Sequence, residues 1–170
     1  AKGAVNALNP GSGSGYTAVI SHESGLELGG GVENITSSGE AANSDESRTT
    51  GYVKFATGGL TVAYQEAYQD SYSSSSSLGL DKEVKFFGAA YTMGDLTVSY
   101  ATAEQDVHKG SGLAGADGAD KLANEKQESI QAAYVMGAMT ISAAMSETDN
   151  VAGVLADKYE ENTLAISFAF

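Results

Sequence analysis

The sequence predicts an all-β protein whose strands follow one another as an antiparallel, up-and-down sheet. Apolar side chains recur at every second residue, as in L-T-V-S-Y, where Leu96, Val98 and Tyr100 alternate with threonine and serine. Tight glycine-containing turns alternate with long polar segments along the chain. Since successive side chains of a strand point to opposite faces, each strand is expected to have one apolar face and one face of small polar residues.

The alternation predicts nine strands that are joined in turn by short and long connections. Tight turns are predicted at 24–25, 58–59, 94–95 and 137–138, where glycine permits the backbone angles that hairpins require. Long polar connections are expected at 34–50, 69–82, 105–128 and 148–161. The predicted strands are 16–23, 26–35, 51–57, 60–68, 83–93, 96–104, 129–136, 139–147 and 162–170.

The chain of 170 residues is strongly acidic, with 22 acidic and 9 basic side chains and a formal net charge of −13. This balance argues against binding to nucleic acid, whose phosphates need basic side chains. Cysteine is absent, which excludes disulfide bonds and thiol chemistry. An enzyme is not expected either, because His22 and His108 lie in no recognisable catalytic motif.

The distribution of charge indicates which face of the sheet meets water. Of the 22 acidic residues, 17 fall in the long connections or at their junctions with strands, and the strands carry few charges. A soluble sheet normally places many charged side chains on its wet face, whereas this one would place mainly Thr, Ser, Ala, Gly and Gln there. A transmembrane barrel reverses the arrangement, with the apolar face in lipid and the small polar face lining water. The expected aromatic belt consists of Tyr64, Tyr100, Phe55, Phe168 and Phe170.

The whole chain resembles the C-terminal half of a general diffusion porin of the alphaproteobacterial, Rhodobacter-like type. The resemblance rests on Y-T-M-G-D-L-T-V-S-Y (91–100), on Y-V-M-G-A-M-T-I-S (134–142) and on the terminal L-A-I-S-F-A-F. It implies an outer-membrane channel for passive diffusion of small hydrophilic solutes and ions, with extracellular long loops and periplasmic tight turns. It also implies a homotrimer, and insertion by the barrel-assembly machinery, which would recognise the closing strand with Phe168 and Phe170. A weak cation preference is expected from the net charge.

Nine such strands are expected to form only part of a closed barrel. The first and the last predicted strand run in the same direction, whereas bacterial barrels have an even number of antiparallel strands. We therefore expect roughly half of a barrel of about 16 strands, with the other strands in a further part of the protein or in a second chain. Residues 1–15 would belong to an extracellular loop and residues 16–170 to the nine-strand segment.

Charged residues inside the strands are the candidates for the pore wall. In T-G-Y-V-K-F-A-T, Val53 and Phe55 have the lipid-facing parity, which directs Lys54 into the lumen. Lys85 also lies between two apolar residues and is expected to point inward, because a lysine on the lipid face costs about 2–4 kcal/mol near the midplane. The resemblance implies that such lysines shape the field across the pore. The same inward parity is shared by Glu27, Glu33 and Gln131.

Two further features of the sequence suggest sites. The acidic segments with Asp117, Asp120 and Asp149 could hold a structural Ca²⁺, although they lack the D-x-D-x-D-G order and solvated loops are the more frequent outcome. Small outward residues such as Ala132 and Ala143 suit contacts in a trimer. Two alternatives stay open: a structural or adhesive outer-membrane barrel that binds partners through its acidic loops, and a soluble, secreted β-rich protein.

Overall fold

The computed structural model describes residues 12–37, 44–71, 80–109 and 123–169, and it confirms the all-β prediction. Nine strands pair in sequence order, each antiparallel to the next, in one sheet. The sheet is open, because the first and the last strand each pair with a single neighbour. A short 3-10 turn, Val151–Gly153, precedes the last strand. Within the described ranges, no helix has the length and apolar character needed to cross a membrane.

Every predicted strand coincides with an observed one, but several observed strands are longer. β3, for example, begins seven residues before position 51, and residues 12–15, expected in a loop, belong to β1. The added segments are mainly polar, with isolated apolar residues such as Val107 and Tyr159, so alternation does not detect them. The expectations for residues 1–11 and for Phe170 lie outside the described residues. The strands are β1 (Ser12–Ser21), β2 (Leu26–Ser37), β3 (Ser44–Thr57), β4 (Leu60–Ser71), β5 (Leu80–Met93), β6 (Leu96–Lys109), β7 (Glu125–Met136), β8 (Met139–Asp149) and β9 (Lys158–Phe168).

The register is continuous through all the strand pairs, and no bulge interrupts any described pair. A slip of one residue would exchange the two faces of a strand, so this register fixes two faces for the whole sheet. One face carries Val53, Phe55 and Tyr64, and we call it the convex face. The other carries Lys54 and Gln65, and we call it the concave face, because side chains from β1 to β6 line one groove of about 660 Å³ on that side.

The four tight turns form an edge that runs obliquely to the hydrogen-bonded rows of the sheet. Leu26, at the start of β2, pairs with Phe55, and Phe55 pairs with Val62. β4, however, begins at Leu60, two residues before Val62. The same two-residue step, in the same direction, separates the start of β6 from that of β4 and the start of β8 from that of β6. Each hairpin is therefore displaced by two residues from the hairpin before it.

The sheet has almost no interior of its own. Among the described residues, only Val107 is buried, at 8% exposure. Large apolar and aromatic side chains instead remain exposed, and among strand residues nearly all of them lie on the convex face, the exceptions being Val19, Phe86, Val135 and Tyr159. An exposed apolar surface of this extent normally marks a contact with lipid or protein.

A row of alternating charges crosses the convex face from β4 to β9. Opposite charges that face each other across strands stabilise a sheet, and like charges in those positions destabilise it. Lys126 lies directly between Glu104 and Asp149, and its Nζ atom is 2.8 Å from Oε1 of Glu128. In strand order, the members of the row are Glu66, Lys85, Glu104, Lys126, Asp149 and Lys158.

Reversal of the central charge tests this register. In Lys126→Glu, three acidic side chains would stand side by side on β6, β7 and β8, so we expect the melting temperature to fall by a few degrees. Lys126→Arg keeps the charge and should melt like the parent protein. The two variants are compared by thermal unfolding in the same detergent at low salt, where surface charges are least screened. If Lys126→Glu and Lys126→Arg melted at the same temperature, the alternating charges would not stabilise the sheet.

Candidate functional site on the concave face

The sequence-predicted Lys54 lies at the centre of a three-residue cluster on the concave face. Glu27 faces Lys54 directly across β2 and β3, and the distance from Lys54 Nζ to Glu27 Oε1 is 3.0 Å. The hydroxyl of Tyr52 donates a hydrogen bond to the same carboxylate oxygen, also at 3.0 Å. Glu27 thus neutralises Lys54 and at the same time fixes the outer end of the tyrosine ring.

A second charged cluster lies further along the same two strands. Arg48 faces Glu33 across β2 and β3, with 3.4 Å between Nη1 and Oε2, and its Nε atom also donates to Glu46. Glu33 therefore shares the face of Lys54, as predicted. Elsewhere on the described concave face, charged side chains occur near the long-connection ends of the strands, at Lys82, Glu125 and Glu161. Most side chains on the central part of the concave face are small or carry an amide group.

Glycines allow two aromatic rings to lie down on the concave face. Gly29 is directly opposite Tyr52, and a Cβ atom on Gly29 would come within 2.2 Å of the Tyr52 ring. The ring of Phe86 leans along its own strand over Gly88 in a similar way, with 3.1 Å to a Cβ atom placed there. Neither glycine stands out among the many glycines of the sequence, although glycine inside a strand is a known sign of close approach.

The glutamines of the chain share the concave face. Gln131, which was predicted to share the inward parity, lies there together with Gln65. The Gln65 side chain donates from Nε2 to Oγ1 of Thr50 at 3.0 Å. All five glutamines in the sequence have this orientation, namely Gln65, Gln69, Gln105, Gln127 and Gln131. The concave surface is consequently rich in uncharged hydrogen-bonding groups.

Lys85 does not lie on the face of Lys54, and the prediction that it does is wrong. The register pairs Lys85 with Glu66 on the convex face, where its Nζ atom is 3.0 Å from Oε1 of Glu83. The neighbours Phe86 and Phe87 explain the error, because one of two adjacent phenylalanines must face the concave side and the sequence does not say which. Lys85 also lies beyond the apolar part of β5, so the energetic argument against an outward lysine does not apply to it.

The candidate Ca²⁺ site, for which a solvated loop was the favoured alternative, finds no support in the described part of the chain. Asp149 lies on β8, where it is 2.8 Å from Nζ of Lys158, and Asp117 and Asp120 lie outside the described residues. The described residues contain no group of three or more side chains that could hold a metal ion.

The apolar residues of the convex face form a belt that follows the edge of the tight turns. On β4 the belt extends from Leu60 to Tyr64 and is followed by Glu66, whereas on β6 it extends from Leu96 to Tyr100. Tyr64 faces Phe87 and then Thr102, so Tyr100 lies two residues closer to the turns than the row of Tyr64. The edge of the belt that is farther from the turns is therefore displaced by the same two residues as the turns.

Tyrosines mark the boundary between the belt and the charged part of the convex face. The hydroxyl of Tyr64 donates to Glu66 at 2.6 Å, and that of Tyr100 donates to Glu128 at 3.1 Å. Each ring thus lies with the apolar residues, while its hydroxyl reaches the charged zone. At the turn side, Phe168 is 59% exposed on the same face. Aromatic side chains with one apolar and one polar end favour a membrane–water interface.

Comparison with protein-family models, with curated proteins and with solved structures finds no match for this chain. The arrangement of side chains on the two faces is therefore the basis for proposing a function.

Substitution of Gly29 tests the cluster around Lys54. In Gly29→Ala the new methyl group would displace the Tyr52 ring and break its hydrogen bond to Glu27, and we expect a loss of stability of about 1 kcal/mol. Gly51→Ala is the matched control, because a Cβ atom there meets no atom within 4 Å and points to the convex face. Denaturant unfolding of both variants measures the effect, and equal stability would show that the ring does not need Gly29.

Proposed function

We propose that this chain forms part of the wall of an outer-membrane porin, a water-filled channel through which small hydrophilic solutes and ions diffuse passively. The convex belt would contact lipid, the concave face would line the channel, and no catalytic step would be involved. The long connections would be extracellular and the tight turns periplasmic. As in the porins that the sequence resembles, we expect homotrimers and insertion by the barrel-assembly machinery.

The observation that carries this proposal is that the apolar belt follows the oblique edge of turns, as it does from β4 to β6. A displacement of two residues per hairpin amounts to about 6.8 Å along the strands for every 9.6 Å across them. If all the turns lie at one level, the strands are inclined by about 35°, within the range of membrane barrels. The belt would then form a level apolar zone, which a lipid bilayer requires.

The concave face has the composition expected of an aqueous lumen. Its cationic groups near the middle of the sheet are paired with carboxylates, as Lys54 is with Glu27, and much of the remainder is Thr, Ser, Ala, Gly and Gln. Such a surface solvates ions without binding them tightly, which suits passive flow. A weak preference for cations is part of the proposal, because the chain carries a net charge of −13.

Closure of the sheet is also part of the proposal. With unpaired edges on β1 and β9, the sheet would expose backbone N–H and C=O groups to lipid, where they have no partner. β1 and β9 run in the same direction, so an antiparallel closure needs an odd number of additional strands. Seven further strands would complete the expected barrel of about 16 strands.

The assignment of the two faces can be tested by cysteine labelling, since the chain has no native cysteine. After reconstitution into lipid vesicles, Ser99→Cys on the concave face should react with a membrane-impermeant thiol reagent. Val98→Cys, its neighbour on the convex face, should react at least about tenfold more slowly, because lipid excludes the reagent and disfavours the thiolate. Equal rates at the two positions would argue against a lipid-covered convex face.

Channel function is tested by conductance in a planar lipid bilayer. Stepwise increases in current that scale with salt concentration are expected, in groups of three if trimers form, with a reversal potential that favours cations. A marked anion preference would contradict the selectivity. Confirmed insertion without conductance would contradict the channel and would favour a structural or adhesive barrel.

A further inference from the structure

We propose that the concave face binds neutral oligosaccharides, which stack on two aromatic rings placed on either side of Gln65. Passive diffusion alone needs no such site, so this inference goes beyond the channel proposed above. It requires only that the concave face meets water and does not require that the chain conducts ions.

The register places the two aromatic residues on either side of one glutamine. Tyr52 on β3 and Phe86 on β5 both face Gln65 on β4, so all three side chains lie in one hydrogen-bonded row. Two strand spacings separate the aromatic residues, a distance of about 10 Å. A chain of sugar rings laid across the strands could therefore contact both aromatic residues together.

The glycines beneath the rings determine which part of each ring is turned away from the sheet. Because Gly29 and Gly88 have no Cβ atom, the rings of Tyr52 and Phe86 can lie down against the sheet. A ring in this position presents its flat face, whereas an upright ring would present its edge. Phe86 is 37% exposed despite its contact with Gly88, and the hydrogen bond to Glu27 holds Tyr52 in place.

The surroundings of the rings are polar but carry little unpaired charge. Gln65 also lines the groove of about 660 Å³, next to Thr50 and Gln105, which lie one row further from the tight turns. The nearest charged groups, Lys54 and Glu27, neutralise each other at 3.0 Å. The site therefore offers amide and hydroxyl groups that both donate and accept hydrogen bonds, without a net charge to select an ion.

This combination fits the chemistry of a neutral sugar. A pyranose ring has a face of C–H groups, which packs on an aromatic ring, and a rim of hydroxyl groups, which exchange hydrogen bonds with amides and hydroxyls. Lys54 and Glu27 are already paired with each other, so a charged solute would find no free counter-ion beside the aromatic faces. A purely aromatic solute would leave the hydrogen-bonding groups around the rings without partners.

Saturation-transfer NMR on the full chain, folded in a detergent without a sugar headgroup, tests the proposal with maltohexaose as the probe. Saturation of protein signals should be transferred to the C–H protons of the sugar. Phe86→Leu should weaken binding about 2- to 12-fold, the range that aromatic-face contacts contribute. Phe87→Leu, the same change at the neighbouring residue on the convex face, should bind like the parent chain.

Two further variants keep the test independent of folding. Gly29→Ala retains Tyr52 but should displace its ring, because a Cβ atom there would come within 2.2 Å of it, so we expect weaker sugar binding from a chain that keeps its β-sheet circular dichroism. Phe86→Tyr retains the aromatic face and should restore binding. The proposal is overturned if the folded chain shows no transfer to maltohexaose, if Phe86→Leu binds as the parent does, or if benzyl alcohol binds in place of the sugar. Sugar binding without conductance would support this inference and contradict the channel. Conductance without sugar binding would support the channel and overturn this inference.

Discussion

The uninterrupted register of the sheet is the constraint on which the other features of this molecule depend. Each residue of a strand belongs to one face, and a shift of a single residue anywhere would transfer a whole strand to the other face. Because no described pair contains a bulge, a side chain on β1 and one on β9 can be assigned to the same surface through eight successive pairings. The apolar belt, the row of alternating charges and the glutamine-rich concave face are all consequences of this continuity.

The sheet contains two directions that do not coincide. Hydrogen-bonded rows determine which side chains face one another across strands, as Tyr52, Gln65 and Phe86 do along one row. The edge of tight turns determines which side chains lie at the same distance from the turns, and it crosses the hydrogen-bonded rows at an angle. The alternating charges follow the first direction, and the apolar belt follows the second. This division explains how one face can hold a transverse row of charges and an apolar belt without conflict between them.

The number and order of the strands could be predicted from the sequence because alternation and tight turns are local signals. The face that carries Lys54 could be predicted, because Val53 and Phe55 fix the parity there. Which residues of β5 lie on which face could not be predicted, because either Phe86 or Phe87 could belong to the apolar face. Only the pairing with β4 and β6 decides between them. The beginning of β3 was missed for another reason: its polar residues are held by backbone pairing with β2, which hydrophobicity does not report. The contacts of Gly29 and Gly88 depend on rotamers of distant or neighbouring rings, which no pattern of residue types specifies.

The open edges of the sheet have a consequence for the newly made chain. β1 is exposed along its whole length, and its outer side offers a row of backbone donors and acceptors to any extended peptide. In water, the adjoining apolar surface would favour stacking of such sheets, so growth at the edge and stacking of the faces would reinforce each other. Newly made chains of this kind would be prone to fibril-like aggregation, and a chaperone that shields extended strands would be needed until the edges are paired.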